Sequence, residues 1–219
     1  MGTEIQRLNP QPGDFPDSRD GFNDGLILSK PEWIKQIHRS YLKVGADCIE
    51  SNTFGSNYLK LAEYAYGDET LEFKLAIEAC HDVIKKVGKK VPIIANVTLD
   101  QYGKMLLGTN IQAAYTTVSD MEIDVFGLNC STGPAEMTPS VRWLNEQDEL
   151  PILVVPNAGM PQNEGGKAVY KMTPSALSEK LKEFIENYKH VRIIGGCCGT
   201  NPLHIAEMRK MLDLYQGDY

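Results

Sequence analysis

Four short apolar runs, "VPIIANVTL", "DVFGLN", "PILVVPN" and "VRIIGG", each lead through a loop into a stretch with helical spacing. No other feature constrains the fold of this chain as much. The helical stretches are Asn110 to Asp120, Met137 to Glu146, Thr173 to Tyr188 and Pro202 to Leu214. Continuously apolar strands alternating with helices predict an α/β fold with a parallel sheet covered by helices, as a (β/α) barrel or a doubly wound sheet. No GxGxxG or P-loop spacing follows the first strand, which favours the barrel and places its chemistry on the loops after the strands. A fifth strand is expected in "ADCIES", fed by the helix "PEWIKQIHRSYLKVG". In that helix Trp33, Ile34, Ile37, Tyr41 and Leu42 share one face between Pro31 and Gly45. "NPQPGDFPDSRDGFND" reads as a long polar loop.

The alternation breaks once. Helical "YLKLAEYAY" is followed, after "GDETLE", by a second helix from about Phe73 to Val87 with no strand between them. Five strands are then counted where a closed barrel of this type needs eight. The expected architecture is therefore an incomplete barrel, a single domain over residues 1–219 with material absent near Asp68 to Phe73.

Composition narrows the partners. A net charge of −7 and a pI near 5.2 argue against nucleic acid or an anionic membrane surface, leaving a small molecule or another protein. No apolar run approaches the roughly 18 residues that span a bilayer, and "MGTEIQRLNPQPGD" lacks the pattern of a signal peptide, so a cytoplasmic location is expected. Five cysteines are an odd number in a chain too large to need disulfide staples, which points to metal or catalytic roles. Cys48 in "ADCIES" and Cys80 in "FKLAIEACHDVIKK" are expected to be core or half-buried thiols.

The other three cysteines share a topological position. Cys130 in "DVFGLNCSTGP" and the pair Cys197 and Cys198 in "RIIGGCCGTNP" each stand where a strand gives way to a helix. Neighbouring residues of a strand point to opposite faces, so the adjacent pair serves one site only if Gly195, Gly196 and Gly199 have already ended the strand. Three converging thiolates repel one another unless a cation sits among them, and zinc is the redox-neutral ion best matched to sulfur. Three protein ligands leave a fourth corner open, suited to a soft substrate thiol that would be kept as thiolate near neutral pH. A redox disulfide of the vicinal pair and inert buried thiols are the other readings of the same residues. His38, His81, His190 and His204 lie in or beside helices without ligand spacing and read as surface or structural residues.

The stretches "MGTEIQ", "NDGLILSKPEWIKQIHRSYLKVGADCIESNTFGS", "VPIIANVTLDQYGKMLLGT", "FGLNCSTGP", "PNAG" and "IGGCCGTNPLHI" resemble, in order, the zinc-dependent homocysteine S-methyltransferase family. Within it they are most similar to the homocysteine-binding modules of cobalamin-dependent methionine synthases. The resemblance implies a (β/α)8 TIM barrel, with Cys130, Cys197 and Cys198 as ligands of Zn2+. It also implies transfer of a methyl group to homocysteine to give methionine, with methylcobalamin as the donor, carried by another domain or protein. Betaine and S-methylmethionine are alternative donors.

Two further positions acquire roles beside the resemblance. Backbone N–H groups of Thr53, Phe54 and Gly55 in "NTFGS" would receive the substrate carboxylate, or the loop is an ordinary helix cap. Asn157 in "VVPNAG" would place its amide oxygen at the open corner, or it makes a turn with Gly159. The family's first strand, with its Asp-Gly pair, and an internal segment of two strands ending in a glutamate have no counterpart here. Both acidic partners of the homocysteine ammonium group are then missing. The two functional expectations are accordingly a methyltransferase module and a zinc-binding fragment without turnover.

Overall fold

A computed structural model describes residues 1–52, 85, 88 and 91–215. The chain divides into two compact units, Met1–Ala79 and Cys80–Tyr219. In the first, three helices are described: α1 (Gly2–Arg7), α2 (Leu26–Ser29) and α3 (Pro31–Lys43). Pro31 opens α3 at its first turn, where a missing N–H costs nothing. Ile34 and Ile37 pack with Ile5, Phe15, Phe22 and Leu26 into one apolar cluster against which Tyr41 leans. Leu42, placed on the same face by spacing, is exposed instead. The polar loop before α2 is more ordered than its composition suggests. It contains two 3-10 turns, Pro12–Asp14 and Pro16–Ser18, and contributes Phe15 and Phe22 to the core.

The expected strand at "ADCIES" is not formed, and Cys48 is exposed rather than core or half-buried. A strand is stable only as one rung of a ladder, and among the described residues of this unit no second strand offers one. Cys80, His81, the loop Thr53–Gly55 and the abutting helices that flank Asp68 to Phe73 lie outside the described residues.

The second unit carries the sheet. Strands β1 (Ile94–Val97), β2 (Val125–Asn129), β3 (Ile152–Val155) and β6 (Val191–Ile194) lie in the order β1-β2-β3-β6, all parallel. Helices α4 (Ile111–Ser119), α5 (Pro134–Gln147), α6 (Pro174–Asn187) and α7 (Pro202–Leu214) follow the strands in sequence. This is the predicted α/β alternation. The central strands are buried on both faces, as a helix-covered parallel sheet requires: Phe126, Leu128, Ile152 and Val154 are all but inaccessible. Leu177, Leu181 and Phe184 of α6 and Val141 and Leu144 of α5 complete this core. Tyr115 of α4 meets Phe126 and Trp143 edge-on, at centroid distances of 5.2 and 5.7 Å.

Helix α5 starts at Pro134, three residues before the expected Met137, because Gly133-Pro134 supplies an extended N-cap and a proline at the first helical position. A small antiparallel hairpin, β4 (Gln162–Glu164) and β5 (Lys167–Val169), was not expected at all. It inserts between β3 and α6.

Candidate metal centre

The C-terminal ends of β2, β3 and β6 build the site. After Asn129 the chain leaves β2 through two successive left-handed residues, Cys130 at φ 58° and Ser131 at φ 62°. For non-glycine residues this conformation costs on the order of 1–3 kcal/mol each and persists only where the surroundings impose it. Here the Cys130 N–H still donates to Val155 O at 3.0 Å, extending the β2–β3 ladder by one rung. Thr132 N–H closes back on Cys130 O at 2.7 Å.

At the end of β6, Cys197 N–H donates to Pro156 O at 2.8 Å, and Cys197 to Thr200 then form a tight turn, Thr200 N–H donating to Cys197 O at 3.1 Å. Gly199 takes the third position of this turn at φ 80°, as a type II turn demands. The two cysteines therefore occupy the first and second positions of a turn rather than neighbouring positions of a strand, and both thiols reach one side. Gly196 has no room for a side chain, since a Cβ there would lie 2.4 Å from Thr200 Cγ2.

The strand between them, β3, holds the two turns together through Asn157. Its backbone N–H donates to Thr132 O at 2.9 Å beside the first cysteine, and its side-chain oxygen accepts from the Cys198 N–H at 3.1 Å beside the second. Asn157 is only 1 % exposed. Its carbonyl also accepts from Gly159 N–H at 2.7 Å, the turn that the sequence suggested. Ala158 N–H donates to Cys198 O at 2.9 Å.

The outcome is a cluster in which the three sulfurs lie within 4.8 Å of one another, with Cys130 Sγ and Cys198 Sγ 3.6 Å apart. It is the single group of three or more metal-ligating side chains among the described residues. A tetrahedral zinc with Zn–S bonds of ~2.3 Å places its sulfurs about 3.8 Å apart, so the donor set fits the ion in both chemistry and spacing. All three thiols are free and half-buried. S–H donation from Cys197 and then Cys198 holds the Cys130 thiol far below its ordinary range. Cys197 and Cys198 are pushed up, chiefly because they donate to that sulfur. A metal entering the cluster would displace thiol protons.

Of the residues singled out from sequence, the structure brings Cys130, Cys197, Cys198 and Asn157 together; Thr53, Phe54 and Gly55 lie outside the described residues. His38 faces Glu50 O at 3.1 Å, and His190 pairs with Asp148 at 2.5 Å; neither belongs to the sulfur cluster. Tyr170, just beyond β5, escaped sequence reasoning. It packs on Gly199 beside the cysteine turn, and burial is the largest cause pushing its pKa up to about 12. The signal for the hairpin that delivers it was present in "NEGGKAV": Gly165 and Gly166 have φ 61° and 82°, the pattern of a two-residue hairpin turn.

The family model described as homocysteine S-methyltransferase matches residues 1–80 and 68–212 of the chain. Methionine synthase from Mycobacterium tuberculosis is 29% identical over 283 aligned positions, covering 95% of this chain and 24% of the relative. The Mycobacterium leprae methionine synthase is 28% identical over 283 positions, covering 95% and 23%. The chain thus spans about a quarter of the length of these relatives. The metallated form of the homocysteine methyltransferase MmuM from Escherichia coli superposes with a TM-score of 0.64 at 15% identity, covering 96% of this chain and 93% of that one. The apo form of MmuM gives 0.57 at 17% identity, with the same coverage. At these identities the structural likeness establishes the fold.

Proposed function

The chain belongs to the homocysteine S-methyltransferase family, and from that premise we propose that it holds one Zn2+ on Cys130, Cys197 and Cys198 and transfers a methyl group to homocysteine, forming methionine. The observation that carries the reading is the convergence of three sulfurs from two turns that are far apart in sequence. Inert core thiols need no such convergence. Zinc bound there would supply a fourth position in which the homocysteine sulfur is kept as thiolate at neutral pH.

The chain's own residues fix the rest. The turn Cys197–Thr200 and the left-handed step at Cys130 aim the sulfurs, and Asn157 locks both turns to β3. In the transfer itself a sulfur–carbon bond forms as the bond between methyl and donor breaks, and the thiol proton is lost to solvent. No side chain has to act as general base at the sulfur, so positioning is the main contribution. The amide N–H groups of Thr53, Phe54 and Gly55 are proposed to receive the substrate carboxylate. Asn157, already engaged with Cys198, is assigned the anchoring role. The proposed donor is methylcobalamin on another domain or protein, a reading supported by the similarity to methionine synthases.

A second reading, a zinc-binding barrel fragment without turnover, is supported by the way the family match divides at residues 68–80 and by 283 aligned positions for a chain of 219 residues. Both features fit a segment missing near Asp68 to Phe73, which would leave the barrel incomplete. The two readings separate in one experiment. Methyl transfer is assayed with methylcobalamin, betaine and S-methylmethionine while zinc content and homocysteine binding are measured for wild type and Cys198→Ser. The methyltransferase reading predicts turnover by wild type and joint loss of zinc and homocysteine in the variant. A wild-type chain that retains zinc yet never binds homocysteine is the fragment.

A further inference from the structure

The reading above gives a partner to the sulfur and to the carboxylate of homocysteine and leaves its ammonium group without one. The sheet offers acceptors on the face turned away from its helices. Phe126 of β2 meets Tyr115 of α4, so alternation puts Gly127 and Asn129 on the opposite face. Across the parallel register Gly127 is level with Asn96 of β1 and Leu153 of β3, and Asn129 with Val155. Toward β3 and β6 this face is apolar, with Leu153 level with Ile193 and Val155 against Gly195. Toward β1 and β2 it is polar and carries Asn96, Thr98 and Asn129.

The polar side of this face is specifically shaped. A Cβ at Gly127 would stand 1.7 Å from Asn96 Oδ1, so a glycine that weakens the middle of a strand makes room for that amide. Thr98, just past the end of β1, donates its hydroxyl hydrogen to Asn129 Oδ1 at 2.9 Å. That bond leaves the lone pairs of Thr98 Oγ1 and one lone pair of Asn129 Oδ1 free to accept. Thr98 is exposed and Asn129 half-buried, so a ligand can reach both. Asn129 directly precedes Cys130, where the chain turns into the sulfur cluster. The Asp100 carboxylate, two residues beyond Thr98, serves its own loop instead, its Oδ1 accepting from the N–H groups of Tyr102 and Lys104.

We propose that Thr98 Oγ1 and Asn129 Oδ1 receive the ammonium group of homocysteine and so select an amino-acid thiol over a plain one. The proposal rests on the zinc and homocysteine reading given above. An ammonium group carries donors only, which matches a pair of acceptor oxygens. The short carbon chain of homocysteine keeps its nitrogen close to the metal that holds its sulfur. Neutral oxygens serve here because a hydrogen bond with one charged partner is stronger than one between neutral groups.

The test loads the full chain with Co2+ and follows the sulfur-to-metal charge-transfer band while thiols are added. The probes are homocysteine, 3-aminopropanethiol, which lacks the carboxylate, and 4-mercaptobutyrate, which lacks the amino group. Thr98→Val keeps the shape of the side chain and removes its oxygen. It should weaken homocysteine and 3-aminopropanethiol about tenfold and leave 4-mercaptobutyrate unchanged. Asn129→Asp, which still accepts from Thr98 and adds a negative charge, should tighten the two amines relative to 4-mercaptobutyrate, and it decides the matter if the valine variant does not fold. A merely structural role would move all three thiols together. Variants that change all three alike, change none, or change only 4-mercaptobutyrate overturn the proposal while leaving the zinc reading intact. A wild-type chain whose Co2+ band responds to none of the thiols overturns that reading, and this proposal with it.

Discussion

Replacing Asn157 by alanine tests how the site is held together. The substitution leaves the backbone links from Asn157 to Thr132 and Gly159 in place and removes the acceptor of the Cys198 N–H. A buried donor left without its partner costs about 1–3 kcal/mol. The side chain is almost fully enclosed, at 1 % exposure, so the void it leaves adds about 1 kcal/mol more. The expected loss is thus about 2–4 kcal/mol, concentrated in the turn that presents two of the three sulfurs. The assay is urea unfolding of the metal-free chain under reducing conditions. With an m-value of about 2 kcal/mol/M the midpoint should fall by about 1–2 M without a change in slope. Zinc affinity should fall by at least about tenfold in parallel, as for other residues that orient metal ligands. A variant with the wild-type midpoint and wild-type zinc affinity would refute the reasoning, because the Asn157–Cys198 bond would then hold nothing.

Two further outcomes follow from separate parts of the second unit. Asp148 ends α5 in a left-handed conformation and accepts from Lys189 and His190, which hold its carboxyl below the ordinary value of 3.8. A depressed folded-state pKa means that its contribution is present above about pH 3.8 and is lost as pH falls through the folded value. Asp148→Asn, which tolerates the same backbone, should flatten that acid limb of the stability curve measured by thermal unfolding. Thiol accessibility gives the other. In the zinc-loaded chain the exposed Cys48 should react at once with a disulfide reagent, and a chelator should release three more thiols, from Cys130, Cys197 and Cys198. Equal reactivity with and without the chelator would contradict zinc protection.

The sheet was legible because its strands are continuously apolar and its helices carry strong end signals. Asn201-Pro202 gave the start of α7 and Thr173-Pro174 that of α6 directly, through an asparagine or threonine N-cap followed by proline. The cysteine site was legible for a similar reason, since glycines around Cys197 and Cys198 announce a turn. "ADCIES" misled because apolar content alone cannot say whether a partner strand exists to pair with it. The β4–β5 hairpin left no apolar pattern, since its described side chains are mostly exposed, and only the Gly165-Gly166 pair marked it. Asn157 owes its role to contacts with the Thr132 carbonyl, 25 positions away, and the Cys198 N–H, 41 positions away. Such contacts are set by the register of β3 against β6, which local sequence does not encode.

The most direct measurement is the zinc K-edge X-ray absorption spectrum of the loaded chain, recorded before and after homocysteine is added. Three sulfurs around the ion, rising to four with homocysteine, is the result predicted from the cluster at Cys130, Cys197 and Cys198. A sulfur count that begins below three, or that does not change on adding homocysteine, would contradict the account.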